Sequence, residues 1–334
     1  MITQVEKANN FSPSLRERGR TYACASLIFA IFVGAGGVVL AQAPKDAGSA
    51  LDPRCADQKG VPASDRIVIC SALLKDRALL PENVAVTYYN LGVAHLEVGA
   101  IQQAIANFSS ALSILPNYEL ALVNRGIAYR KQGHNDLAIA DYSHAIVINP
   151  KNVSAYTNRA NAFFLTGEIK LALSDLDHAL ALDPSYTSAL VNRATMYISL
   201  RNFENAIRDY SSAIQINPSN SDALDGRCYA RMLVGQLQLA LADCQGAINL
   251  APSNAGILDT RGSVYMRLHN PSAALNDFQR AETLDPSMAT AWFGAGLALS
   301  SLNKPEQSSA DLARARSLDP NVGLEMARRG LASH

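Results

Sequence analysis

Two rows of side chains recur at a fixed interval of thirty-four residues, and they are the strongest chemistry the sequence offers. Asn90, Asn124, Asn158 and Asn192 form the first. A primary amide can donate to a carbonyl and accept from an N–H, so stacked amides can hold a polypeptide backbone without reading its side chains. The second row is Arg125, Arg159, Arg193, Arg227 and Arg261, each sixteen residues before an aspartate: Asp141, Asp175, Asp209, Asp243 and Asp277. A guanidinium takes a carboxylate through two parallel N–H bonds. An Asp for every Arg points to structural ion pairs, and it cancels the field that nucleic-acid binding would need.

Other reactive groups are sparse. His144 and His178 share one repeat phase, but no carboxylate or cysteine at ligand spacing completes a metal site. They read as surface histidines, and no metal is expected. The chain has no G-x-G-x-x-G after a strand, no P-loop, no H-E-x-x-H and no G-x-S-x-G, and Gly34, Gly36 and Gly37 sit within a hydrophobic stretch. Neither catalysis nor a cofactor is therefore predicted. Beyond Cys24, four cysteines fall into two pairs, Cys55 with Cys70 and Cys228 with Cys244. In a chain that carries an export signal, an even number suggests disulfides. The second pair reads equally as a bond or as two small hydrophobes in a helix interface.

The elements that position these residues follow from one period. Prolines at 116, 150, 184, 218, 252, 286 and 320 are thirty-four residues apart, and each closes an amphipathic segment such as AIADYSHAIVINP or AIRDYSSAIQINP. Proline cannot continue a helix and restricts the residue before it, so it sets a turn. Small residues such as Ala160, Ala172 and Ala179 fall where two antiparallel helices must approach closely.

This pattern resembles the tetratricopeptide-repeat (TPR) family, whose unit of about thirty-four residues runs W-x2-L-G-x2-Y, A-x3-F, P. Tyr88, Leu91, Gly92, Ala104, Phe108, Ala111 and Pro116 carry the likeness in the first unit. Leu122, Gly126, Tyr129, Ala138, Tyr142, Ala145 and Pro150 carry it in the second; Gly262, Tyr265, Ala274, Phe278, Ala281 and Pro286 in the sixth. The seventh keeps Trp292 and Gly296 but has Ser308 where Ala is usual. The resemblance implies an all-α, right-handed α-solenoid of seven helix-turn-helix units, 85–118, 119–152, 153–186, 187–220, 221–254, 255–288 and 289–322, with flanking capping helices. A capping half-repeat is expected at 64–84, its helix running from Ser64 to Leu80 with Ser64 and Asp65 as N-cap. A cap is expected at 323–334, with Arg328, Arg329 and Ser333 facing solvent.

The resemblance also implies that the asparagine row faces a concave groove and looks like the ladder with which some members hold extended peptides. Tyr89, Val123, Thr157 and Val191 would lie beside it, continued by Asp225, Asp259 and Phe293, with Arg130 and Phe164 among the groove residues. The row breaks at Gly226, Thr260 and Gly294. The basic set that grips acidic carboxy-terminal tails in other members is not reproduced. The row arginines stand where the family commonly has Leu, so a partly buried guanidinium needs its carboxylate.

Composition and the amino terminus bound the setting. The 334 residues are 49% hydrophobic and 17% charged, as in a folded chain. Net charge is zero; residues 1–41 hold four basic and two acidic side chains, which leaves −2 for the rest and makes no case for nucleic acid. Arg16, Arg18 and Arg20 precede an uncharged stretch from Thr21 to Ala41 that has the layout of an export signal. Residues 1–41 are read either as a cleaved signal peptide or as an inner-membrane anchor, and 42–63 as a linker. The expectation is a periplasmic or membrane-tethered scaffold that binds protein or peptide partners in its groove, touching membrane only through the amino terminus if that is retained. The alternative is a mainly structural subunit of an envelope complex for secretion, polysaccharide export or wall remodelling.

Overall fold

The computed structural model describes residues 52–56, 60–76 and 78–331, and within them every regular element is a helix. The export segment and most of the linker lie outside these residues. A short helix, α1 (Ala63–Leu73), precedes seven helix pairs. They are α2 (Pro81–Glu97) with α3 (Ile101–Ile114), α4 (Glu119–Lys131) with α5 (Asn135–Ile148), and α6 (Val153–Thr166) with α7 (Ile169–Leu182). Next come α8 (Thr187–Ser199) with α9 (Phe203–Ile216), and α10 (Ser221–Leu233) with α11 (Leu237–Leu250). The last pairs are α12 (Ala255–Arg267) with α13 (Pro271–Leu284) and α14 (Ala289–Ser301) with α15 (Pro305–Leu318), followed by α16 (Val322–Arg328). Each helix packs on the next along the chain, which is the nearest-neighbour architecture of an all-α solenoid.

Both turns of the unit have a sequence cause. Each second helix stops at the residue before proline, where Leu115, Asn149, Asp183, Asn217, Ala251, Asp285 and Asp319 take ψ between 71° and 109°. Asn149, Asp183, Asn217, Asp285 and Asp319 then accept the N–H two residues on, at 2.8–3.1 Å. Within units the first helix ends in the left-handed region at positions again thirty-four apart. Glycine occupies four of them, 99, 133, 167 and 235, whereas Arg201, His269 and Asn303 hold φ of 58°, 55° and 58°.

Helix approach inside a unit is set by a small residue facing a large one. A Cβ on Gly126 would stand 2.6 Å from the Tyr142 ring. In the fifth unit the corresponding positions are Cys228 and Cys244, and they are bonded, with Cα atoms 5.5 Å apart. The open reading of that pair thus resolves as a disulfide that staples α10 to α11. Cys55 and Cys70 are also bonded, tying the chain before α1 to its middle.

The arginine row holds the units together. All five arginines fork onto their aspartates through Nε and Nη2, with ten bonds of 2.6–2.9 Å. The third nitrogen, Nη1, reaches back to the second helix of the preceding unit, to Ser109, Ser143, Asp177, Ser211 and Gln245 at 2.7–3.1 Å. The aspartates are buried, and Arg125, Arg159 and Arg261 also lie over the rings of Tyr129, Phe163 and Tyr265. In the seventh unit Ala295 takes the arginine's place opposite Asp311. Burial pushes the Asp311 carboxyl up, and burial followed by the nearby Asp311 charge pushes Glu282 up to about 7.

Two expectations about the ends are corrected. The first helix is shorter than Ser64–Leu80: it starts at Ala63 after Pro62, makes no side-chain cap bond, and ends at Leu73. Pro81 instead opens α2, because its fixed φ suits the first helical position, so this helix begins four residues before 85. At the other end Arg328 is exposed as expected, but Arg329 is 1% exposed and bonded inside the array. Ser333 lies outside the described residues. The substituted Ser308 is accommodated because its hydroxyl donates to the Gly296 carbonyl at 2.8 Å.

Three outcomes are expected in denaturation experiments. Asp175→Ala should destabilise by about 3–5 kcal/mol by leaving the Arg159 charge unpaired, while Arg159→Leu with Asp175→Ala should recover most of that loss. Arg201→Gly and His269→Gly should each raise stability by about 1 kcal/mol, and Asn303→Gly by less. Glu282 binds its proton more tightly when folded, so stability present below the unfolded pKa is lost as pH rises towards about 7. Melting curves of Glu282→Gln between pH 4 and 8 should show a shallower decline than those of the unaltered chain.

Candidate partner-binding face

Neighbouring first helices touch along the array, α2 with α4 and onward to α12 with α14, whereas second helices meet at most marginally. The first helices therefore line the inner, concave side. Most side chains expected there are consumed by the seams between these helices. Tyr89, Val123, Thr157 and Val191 are 0–6% exposed. Asp259, one phase-mate of theirs, accepts the Thr290 hydroxyl of the next unit at 3.0 Å, which shows where this phase points.

The asparagine row is likewise corrected from an open ladder to a seam. Asn90 is half-buried, and Asn124, Asn158 and Asn192 are buried. Asn124 donates to the Leu120 carbonyl at 3.0 Å and to the Tyr89 hydroxyl at 3.2 Å; Asn158 donates to the Ser154 carbonyl and hydroxyl at 2.9 and 3.2 Å. The buried Asn192 keeps both polar atoms of its amide without a protein partner. The breaks in the row explain the geometry. A Cβ on Gly226 would stand 2.3 Å from the Tyr210 ring, and one on Gly294 2.4 Å from Phe278. This phase faces the second helix of the preceding unit, so what stands there is decided by packing. Arg130 and Phe164, six residues beyond Asn124 and Asn158 on the same helices, stay half-buried.

The carboxyl half of the concave side is different, because the chain itself occupies it. Helix α16 packs on α14, burying Val322 and Met326 among Phe293, Ala289 and Ala315. Arg329 then reaches two units back: its Nη1 donates to Asp259 at 2.6 Å and to the Ser263 hydroxyl at 3.3 Å, and its guanidinium lies 5.7 Å from the centre of the Tyr229 ring. Glu325 accepts from the Tyr229 hydroxyl at 3.1 Å and from Arg329 Nε at 3.3 Å. Asp225 lies beside this cluster, its carboxyl pushed up to about 7 by burial and by Asp222 and Asp259, against the Thr260 hydroxyl and Arg329. Periodicity placed Asp225 and Asp259 on the concave phase but gave no sign of their partner, which sits seventy residues beyond Asp259 and outside the repeat.

Among the described residues no three His, Cys, Asp or Glu side chains are grouped to hold a metal ion, and no helix is long and apolar enough to cross a membrane.

Comparison with known proteins bears on what this face belongs to. Models described as tetratricopeptide repeat or TPR repeat match residues 85–118, 126–167, 153–186, 187–220 and 260–322. A tetratricopeptide repeat protein from Parabacteroides merdae superposes with TM-score 0.57 at 21% identity, over 74% of this chain and 98% of that one. The APC/C hetero-tetramer Cut9-Hcn1 superposes with TM-score 0.64 at 18% identity, covering 81% of this chain and 53% of that one. Pseudomonas aeruginosa pilF gives 0.56 at 15% identity, over 63% and 96% of the two chains. At these identities the likeness speaks to the fold alone. No curated protein matches the sequence significantly. With repeat models matching five stretches between 85 and 322 and the helix pairs in the same register, the chain belongs to the tetratricopeptide repeat family.

Proposed function

We propose that this chain is an exported scaffold of the cell envelope that holds a polypeptide segment of a protein partner against its concave, first-helix side. The observation that carries the reading is α16: a helix from outside the repeat is seated on first helices through apolar side chains and a buried ion pair. A surface that receives one polypeptide helix in this way has the means to receive another. The array contributes a stiff support, since the second to sixth units are each fastened to their predecessors through an arginine. The envelope setting rests on the basic, then apolar, amino-terminal sequence and on two disulfides, which persist in oxidising compartments.

The test is site-specific photocrosslinking in cells. A benzoylphenylalanine at Phe164, on the last turn of a first helix, should give discrete protein adducts; one at Val147, 77% exposed on a second helix, should give few. Adducts from 147 as abundant as from 164, or none from either, would sink the concave-side reading. Mass spectrometry of the same material gives the mature amino terminus, with Gln42 or Pro44 expected after cleavage and an intact segment if it anchors. Thiol trapping that finds all four downstream cysteines reduced in vivo would overturn the envelope setting.

A further inference from the structure

The cluster around Arg329 has the form of a ligand site already filled. We infer that Asp225, Asp259, Ser263 and Tyr229 make an arginine-receiving pocket on the concave side of the fifth and sixth units. Helix α16 is its internal occupant, and the external ligand is an amphipathic helical segment that presents an arginine in the same place. The inference rests on the reading that this side binds polypeptide, and it names the chemistry of the segment bound.

Three observations carry it. First, the pocket holds more acceptors than its occupant uses. Asp225 and Asp259 are 6% and 1% exposed, and each keeps a carboxylate oxygen, Oδ1, with no protein partner. A buried carboxylate oxygen left without a donor is costly, so the pocket keeps acceptors that an arginine entering on an untethered helix can reach in addition to those Arg329 uses. Second, the seat is graded from apolar to charged. Val322, Met326 and Arg329 stand at i, i+4 and i+7, the first two against Phe293 and the third in the pocket, which is the anchor spacing of a helix laid in a groove. Third, α16 is seven residues long, and it packs on α14 with little contact to α15. A buried ion pair adds little net stability over its desolvation penalty. Exchange of Arg329 for an incoming arginine therefore conserves the pairing, and tethering, worth an effective concentration of about millimolar, is what favours the internal helix.

The ligand class follows: a segment with apolar side chains seven and three residues ahead of an arginine. A peptide of residues 320–334 of this chain is the simplest probe. Labelled with a fluorophore, it is titrated into the full chain, into Arg329→Ala, and into Arg329→Ala with Asp259→Asn. Binding to Arg329→Ala should be at least tenfold tighter than to the unaltered chain, because the internal competitor is weakened. Asp259→Asn in the acceptor, or Arg329→Ala in the peptide, should each remove at least tenfold. Hydrogen exchange on the same proteins gives the second readout. Amides of α16 should exchange at least tenfold faster in Arg329→Ala, with α2 to α13 unchanged.

Peptide affinity insensitive to Asp259→Asn would overturn the pocket. So would exchange in the unaltered chain in which α16 opens only together with α14 and α15, since that helix would then be an integral cap. The two readings fail differently. Partners captured through Phe164 but indifferent to Asp259→Asn would leave the scaffold reading standing and remove the pocket; a peptide that binds as described, with no partner captured in cells, would do the reverse.

Discussion

One arginine in each of the second to sixth units fastens this array at two levels. Two of its nitrogens close the helix pair by forking onto an aspartate, and the third reaches the second helix of the unit before. Intra-unit pairing and inter-unit register are thereby joined in a single planar group. The planarity of the guanidinium is what makes the arrangement possible, because a lysine ammonium could not satisfy both helices with fixed directions. The row begins in the second unit, where Leu91 of the first gives way to Arg125, and ends in the sixth. The five central units share this fastening, whereas the ends are secured by other means: the Cys55–Cys70 bond before α1, and α16 after α15.

Close packing sets a second constraint, and it decides what the inner side can display. Where a glycine or alanine on the first helix meets an aromatic ring on the second, the helices approach too closely for any other choice. The same rings press on the first helix of the following unit, at Gly226 and Gly294. Side chains of that phase are thus held between units, which leaves the concave surface to positions nearer the helix ends and to whatever the chain lays upon it.

Much of this was legible in the sequence, and the reason is repetition. Seven prolines fix the phase, and every small residue, ring and Arg–Asp pair then acquires a place. The asparagine row shows the limit. Its period was correct, but a period gives direction around a helix and not the depth of the neighbouring layer, so buried amides read as exposed ones. Arg329 was misread for a different reason. It keeps the phase of the arginine row, two periods beyond Arg261, but it lies past the seventh unit with no following helix to supply an aspartate, and its surroundings suggested an exposed charge. Its partner Asp259 is distant in sequence, and only the curvature of the array brings the two together. The Cys228–Cys244 pair was undecided in sequence because the spacing suits both a bond and a packing pair; the structure shows that the bond occupies the position of a packing pair.

The staple in the fifth unit also changes how the array comes apart. A solenoid with only neighbour contacts frays from its ends, one helix pair at a time. A front of unfolding that moves inward from the carboxyl end passes the seventh and sixth units and then meets a pair, α10 and α11, whose helices cannot part while Cys228 and Cys244 remain joined. The covalent bond works as a firebreak between the sixth and seventh units and the four units before it. Under tension or heat, the terminal segment can open and close while the amino-terminal units keep their form.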